Sequence, residues 1–141
     1  MGLVALVLAS LCVAAPVSYS APPDRGAPAI PWVHAGSVSG YLFYYGAPGP
    51  WRSDRERAIV ATRGGGPGFS TKILWHVQGG YGRVIVIGSR LDGAGRFRQS
   101  YQGIAGSYFP SYLIVPSAGC WRVTVSSAGR RTSFAFRAVD L

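Results

Sequence analysis

The chain has 141 residues, which suits one domain able to bury a core without a metal or disulfide. Hydrophobic residues make up 48% and charged ones only 13%, which excludes a disordered chain, and 20 glycines with 10 prolines favour short strands over long helices. The net charge is +9 and rests on arginine, since Lys72 is the only lysine; codon bias accounts for that ratio, but the sign still draws acidic partners in a salt-dependent way.

Residues 3–15 (L-V-A-L-V-L-A-S-L-C-V-A-A) form an uncharged apolar run about as long as the core of a signal peptide and short for a membrane span. Ser18 and Ser20 place small residues at the −3 and −1 positions of a cut before Ala21, although no Lys or Arg precedes the apolar run. The expectation is a signal peptide over 1–20 and an exported protein, secreted, periplasmic or at the cell surface. An uncleaved N-terminal membrane anchor is the alternative. Lipidation at Cys12 calls for a small residue before it, and Leu11 stands there. Cleavage after Ser20 would remove Cys12 and leave Cys120 alone, either a buried small hydrophobe or a free thiol, with no internal disulfide.

Residues 21–39, with A-P-P-D-R-G-A-P-A-I-P, read as a proline-rich tether, and the folded domain is expected over 40–141. Its first core strand is G-Y-L-F-Y-Y at 40–45, ended by a Gly-Pro loop that leads to Trp51. R-S-D-R-E-R at 52–57 is a solvated connection, 58–62 a short strand, and the glycine run at 64–68 a loop. From 72 to 77 the alternation places Ile73, Trp75 and Val77 inward. Residues 78–82 look like a hairpin turn before R-V-I-V-I at 83–87, which is apolar on both faces like a central strand. A D-G turn at 92–93 then precedes a strand over 96–101.

The organising stretch is 110–125, P-S-Y-L-I-V-P-S-A-G-C-W-R-V-T-V. Pro116 to Gly119 is turn material, so the chain is expected to reverse there between two strands. Trp121, Val123 and Val125 share the inner face, with Cys120, Arg122 and Thr124 on the other. A further turn over 126–131 and a closing strand with Phe134 and Phe136 on one face complete the chain. About eight short strands with no helical pattern predict an all-β protein of two antiparallel sheets packed as a sandwich, with a barrel as the alternative.

The Trp75 strand and the later G-C-W strand resemble the immunoglobulin-like plan, in which a tryptophan packs on a late-strand cysteine. The early cysteine of that plan is missing, and with it the disulfide between sheets. More closely, K-I-L-W-H-V followed by P-S-Y-L-I-V-P-S-A-G-C-W-R-V-T-V resembles a group of exported bacterial proteins carrying a C-terminal P-S-x-x-x-V-P-x-x-G-C-W-x-x-T motif. The resemblance spans residues 41–141. It implies a secreted or lipid-anchored immunoglobulin-like β-sandwich without an established activity, and it carries over no functional residue.

Residue chemistry argues against catalysis. The two histidines and five acids show no metal-ligand spacing. Asp54 and Glu56 are hemmed by Arg52, Arg55 and Arg57, which fits a salt-bridged loop better than paired catalytic carboxylates. There is no G-x-S-x-G elbow, and no G-K-[ST] follows the glycine run. No enzyme activity, metal or cofactor is expected. Two binding ideas remain. One is an aromatic platform of Tyr41, Tyr44, Tyr45 and Trp51, some of whose rings must fill the core. The other is a basic face of Arg83, Arg96 and Arg98 interleaved with Tyr101, a pattern known from single-strand nucleic-acid binders.

Export takes nucleic acid out of reach. The expected partners are therefore an acidic envelope polymer, anionic lipid or another envelope protein, met by a monomer. The function expected is non-catalytic binding or structural support at the bacterial cell envelope through the arginine face. The alternative is an inhibitor or accessory subunit presenting loop 46–51 or 64–70 to a secreted enzyme.

Overall fold

The computed structural model describes residues 12–20, 30–45, 57–63, 65–66 and 69–140, with backbone alone described at 19–20, 44–45, 65–66 and 69–70. Those residues form an all-β protein of two sheets. In chain order the strands are β1 (Ser18–Ser20), β2 (Ile30–Ala35), β3 (Val38–Tyr45), β4 (Ile59–Ala61), β5 (Gly65–Gly66) and β6 (Phe69–Val77). They continue with β7 (Arg83–Arg90), β8 (Arg96–Gln102), β9 (Tyr108–Tyr112), β10 (Gly119–Ser127) and β11 (Arg130–Val139). The first sheet runs β1-β2-β3-β6, with β5 and β9 both on β6, and is curled into a half-barrel. The second runs β4-β11-β10-β7-β8, with β4 parallel to β11 and the other pairs antiparallel.

Alternation explains how the sheets meet. Val33, Val38, Leu42, Ile73, Trp75 and Val77 from the first sheet are buried against Val84, Val86, Trp121, Val123, Val125, Phe134 and Phe136 from the second. Each of these falls on one phase of its strand, so period-2 patterning alone delivers a common core. The Trp75 ring stacks on Phe134 at 6.2 Å and meets Phe136 edge-on at 6.3 Å. Gly40 lies opposite Trp75 in register, and a Cβ there would come within 2.5 Å of the ring, so only glycine lets the tryptophan lie flat across the strand.

Three connections differ from the sequence reading. Residues 110–125 do not form a hairpin: β9 pairs with β6 in the first sheet and β10 with β7 and β11 in the second. The turn chemistry of Pro116 to Gly119 is real, but it serves a crossing between sheets, in which Leu113 and Val115 are buried and the Trp121 indole N–H donates to the Ser117 carbonyl at 2.9 Å. Residues 78–82 likewise carry the chain from β6 to β7, one in each sheet. Turn residues signal that the chain bends; they do not say which sheet receives it. In the stretch read as a tether, β2 pairs with β3 through a turn at Gly36, whose φ of 56° favours glycine. The prolines of 21–31 hide that strand from a composition-based reading. Gly65 and Gly66, read as loop, add a two-residue strand to β6.

The largest difference lies at the amino-terminal side. Cys120 is bonded to Cys12, with 5.4 Å between their Cα atoms, and is not a lone thiol. Residues 12–20 join both sheets. The Ala15 N–H donates to the Ala135 carbonyl at 2.7 Å, the Ala58 N–H donates to the Ala15 carbonyl at 2.9 Å, and β1 pairs with β2. The apolar run read as leader thus includes chain with definite places in the fold.

Candidate functional site: an arginine-bearing sheet face

The inner phase of β7, β8, β10 and β11 fills the core, so the outer phase must form one continuous surface. Register fixes its rows. Arg96 of β8 lies beside Ser89 of β7, which lies beside Arg122 of β10 and then Ala135 of β11. The next row reads Arg98, Ile87, Thr124, Ser133, and the one after it Ser100, Ile85, Ser126, Arg131. Gln102 with Arg83 ends the face on one side, and Cys120 with Arg137 on the other. Arg83, Arg96, Arg98, Arg122, Arg131 and Arg137 are all exposed. Strand geometry sets the charges about 7 Å apart along a strand and about 5 Å per strand across it.

No described carboxylate sits in these rows. Asp92, in the β7–β8 turn, pairs with Arg90 at 2.9 Å, and that hydrogen bond holds its carboxyl below the usual range. Asp140, beyond β11, accepts from the Thr62 hydroxyl at 2.6 Å. Arg83 donates to the Ser100 hydroxyl at 3.0 Å, a neutral partner that adds no opposite charge. Beside the disulfide the face ends in a shallow recess of about 230 Å³ lined by Cys12, Val13, Ala14, Arg57, Ile59 and Arg137.

Of the residues nominated from sequence, Arg83, Arg96 and Arg98 are brought together here. Arg122, Arg131 and Arg137 belong with them and were missed, although strand phase alone marks them: each is out of step with the buried Trp121, Phe134 and Phe136. Tyr101 does not join them. It sits on the inner phase of β8, its hydroxyl 2.6 Å from Gln99 Oε1 and 2.7 Å from the Tyr112 carbonyl, and burial pushes its phenol up to about 12. The interleaving of charge and ring seen in sequence is split between two faces by the pleat.

The aromatic platform is partly placed. Tyr41 is on the outer face of the first sheet, stacked on Trp32 with ring centroids 5.9 Å apart, and Trp32 in turn meets His34 at 5.3 Å. His76 lies against Tyr108 at 4.5 Å on the same face. Tyr44 and Tyr45 end β3, paired in register with Thr71 and Ser70, and Trp51 and loop 46–51 lie outside the described residues, as does part of 64–70. Among the described residues no group of His, Cys, Asp and Glu could hold a metal ion, and no helix is long and apolar enough to cross a membrane. No family model, curated protein or solved structure matches the chain.

Proposed function

We propose that this chain is a non-catalytic, exported binding module that holds acidic polymers of the bacterial cell envelope on the outer face of its five-stranded sheet. The observation that carries this reading is the gathering of Arg83, Arg96, Arg98, Arg122, Arg131 and Arg137 on one face whose rows contain no described carboxylate. Like charges at these spacings repel, so such a face gains most when a polyanion neutralises it. Hydroxyls of Ser89, Ser100, Thr124, Ser126 and Ser133 between the arginines supply neutral donors suited to phosphate or carboxylate oxygens.

The face argues among partners. Within its rows Ile87 is the only large hydrophobic side chain more than a third exposed, at 43%, with Val13 exposed in the recess at one end, so there is little to insert into a bilayer, and a polymer is favoured over lipid. With Tyr101 turned inward the described rows hold no ring on which a base would stack, which disfavours nucleic acid. A disulfide joining Cys12 to Cys120 suits an oxidising compartment and supports export. We read the fold as an immunoglobulin-like sandwich of the exported bacterial group that the G-C-W motif resembles. The parallel pairing of β4 with the C-terminal β11, beside antiparallel β10 and β7, supports that reading.

The test is co-sedimentation of the purified chain with the source cell's own envelope at low and high salt, beside an Arg96→Gln, Arg98→Gln, Arg122→Gln variant. Binding is expected at low salt, to weaken steeply above about 0.15 M as the screening length shortens to 8 Å, and to fall at least tenfold in the variant. Absence of binding at low salt, or binding indifferent to both salt and variant, would sink the proposal.

A further inference from the structure

Residues 12–20 are held at four kinds of contact. Cys12 is bonded covalently to Cys120, which is 1% exposed at the start of β10. Ala14 is buried, and the Arg57 guanidinium donates to its carbonyl at 3.1 Å. Ala15 bridges sheet and loop: it donates to Ala135 of β11 and accepts from Ala58, whose own carbonyl accepts from the Arg137 N–H at 3.0 Å. Pro16 then bridges to Arg57, and Ser18, Tyr19 and Ser20 pair with Trp32, Pro31 and Ile30 along the edge of β2.

A product beginning at Ala21 would lose all of these. It would strand the Ala135 carbonyl and the Ala58 N–H, both beside the core, where unpaired main-chain groups are rarely tolerated. It would bare the edge of β2 to other strands. It would also put a single unpaired cysteine, Cys120, into an oxidising compartment, where a leftover thiol tends to pair between molecules. Leader peptidases act on chains that have not yet folded, so the fold does not bar a cut after Ser20.

We infer that residues 12–20 belong to the mature domain, and that any cut maturing this chain falls on the amino side of Cys12 and not after Ser20. A leader peptidase hydrolyses the peptide bond with water. The two thiols of Cys12 and Cys120 then give up two protons and two electrons to a disulfide-bearing oxidoreductase of the receiving compartment. This inference concerns processing and stands apart from what the arginine face binds. It also assigns the recess beside Arg57 and Arg137 a wall built from residues 12–14.

The full chain, expressed in a bacterial host that exports it, is analysed by N-terminal sequencing, intact mass and peptide mapping without reductant. The expected product retains Cys12, has a mass two hydrogens below the reduced form, and yields a fragment in which the Cys12 and Cys120 peptides are joined until reductant is added. An uncut chain with that joined fragment also supports assignment of 12–20 to the fold. A product starting at Ala21, or any product in which Cys120 is freely alkylated without reductant, overturns it. A Cys12→Ser chain provides the control: its Cys120 should become reactive to a maleimide on mild unfolding, whereas the wild-type residue should not.

Discussion

On β7, β8, β10 and β11 the residues that alternate with the core are mostly arginines and hydroxyls, with Ile85, Ile87 and Ala135 among them, whereas on β2, β3, β6 and β9 they include Trp32, Tyr41, Leu74, His76, Tyr108, Pro110 and Tyr112. Both faces obey the same pleat, and their inner phases contribute to the same core. The rings of the first sheet cover one another across strands, Trp32 on Tyr41 and His76 on Tyr108, so that layer adds to stability as it excludes water. The arginines of the second sheet have no such mutual gain. Charges gathered on one face, with no carboxylate in its described rows, are what the proposed polyanion binding would use.

The disulfide lies on the arginine side of the molecule, and removing it gives the largest expected effect. Cys120→Ser should lower unfolding free energy by about 2–5 kcal/mol, the usual cost of losing a disulfide that closes a long loop. The loop here spans 108 residues. Chemical denaturation with and without reductant checks this: reductant should bring the wild-type curve onto the variant's and leave the variant unmoved. If reductant changes neither curve, the covalent tie does not hold the sheets.

Each sheet also has, on its inner phase, a glycine under a ring. A Cβ on Gly40 would strike the Trp75 ring at 2.5 Å, and one on Gly88 would strike Phe97 at 1.9 Å. The closer clash is expected to be the cheaper one. Trp75 is fully buried between the sheets and cannot move, while Phe97 is half-buried on the edge strand β8 and can rotate outward. Gly40→Ala should destabilise by about 1–3 kcal/mol, as overpacking does, and Gly88→Ala by less. Thermal melts of the two variants, compared at equal ionic strength, decide the order.

How far these features were legible follows from the physics of each signal. Alternation is local, so the inner faces of β6, β10 and β11 could be read directly, with Trp75, Trp121, Phe134 and Phe136 placed correctly, whereas β7, apolar in both phases, did not reveal from sequence that Val84 and Val86 face inward and Ile87 outward. Sheet membership is not local. The turn at 116–119 was recognisable by its Pro and Gly, but nothing in those residues distinguishes a hairpin from a crossing. The arginine face was half visible: Arg83, Arg96 and Arg98 stood out by crowding, while strand phase marks Arg122, Arg131 and Arg137 as outward and only the pairing of β10 with β7 and β11 brings them onto the same face. The Cys12 pairing lay out of reach because an apolar alanine-rich stretch has the same composition whether it is a leader or a strand entering a core.

The outer faces also differ in how substitutions should separate stability from binding. Tyr41→Ala removes a half-buried ring stacked on Trp32 and should cost about 1–2 kcal/mol, with polyanion binding unchanged. Arg98→Gln should alter stability by no more than about 0.5 kcal/mol while weakening binding at low salt. Paired denaturation and sedimentation measurements on both variants test the separation. A large stability loss in Arg98→Gln would mean that the face is structural after all.

Where the two sheets meet at β8 and β9, Tyr101 ties one to the other through the Tyr112 carbonyl. Tyr101→Phe should cost about 0.5–1.5 kcal/mol near neutral pH, one hydrogen bond's net worth. Because burial raises the phenol in the folded state to about 12 from 10.0, its contribution is present in full below pH 10 and is lost as pH rises toward 12. Wild type and variant should therefore converge in stability across that alkaline window.

The smallest effect is expected at the β10–β11 hairpin, on the arginine sheet but clear of its rows. Ser127 and Arg130 face each other across a two-residue turn in which Ala128 has φ of 49° and Gly129 φ of 78°. Two left-handed residues in succession match the right-handed twist of the strands, which is why glycine follows; alanine pays for the same conformation with a crowded Cβ. Asparagine tolerates that region better, so Ala128→Asn should raise stability by about 0.5 kcal/mol without touching binding. A gain measured in the melt, with sedimentation unchanged, would separate the energetics of this sheet's turn from those of its face. A loss would mean that the strand register depends on some contact of Ala128 besides its backbone angles.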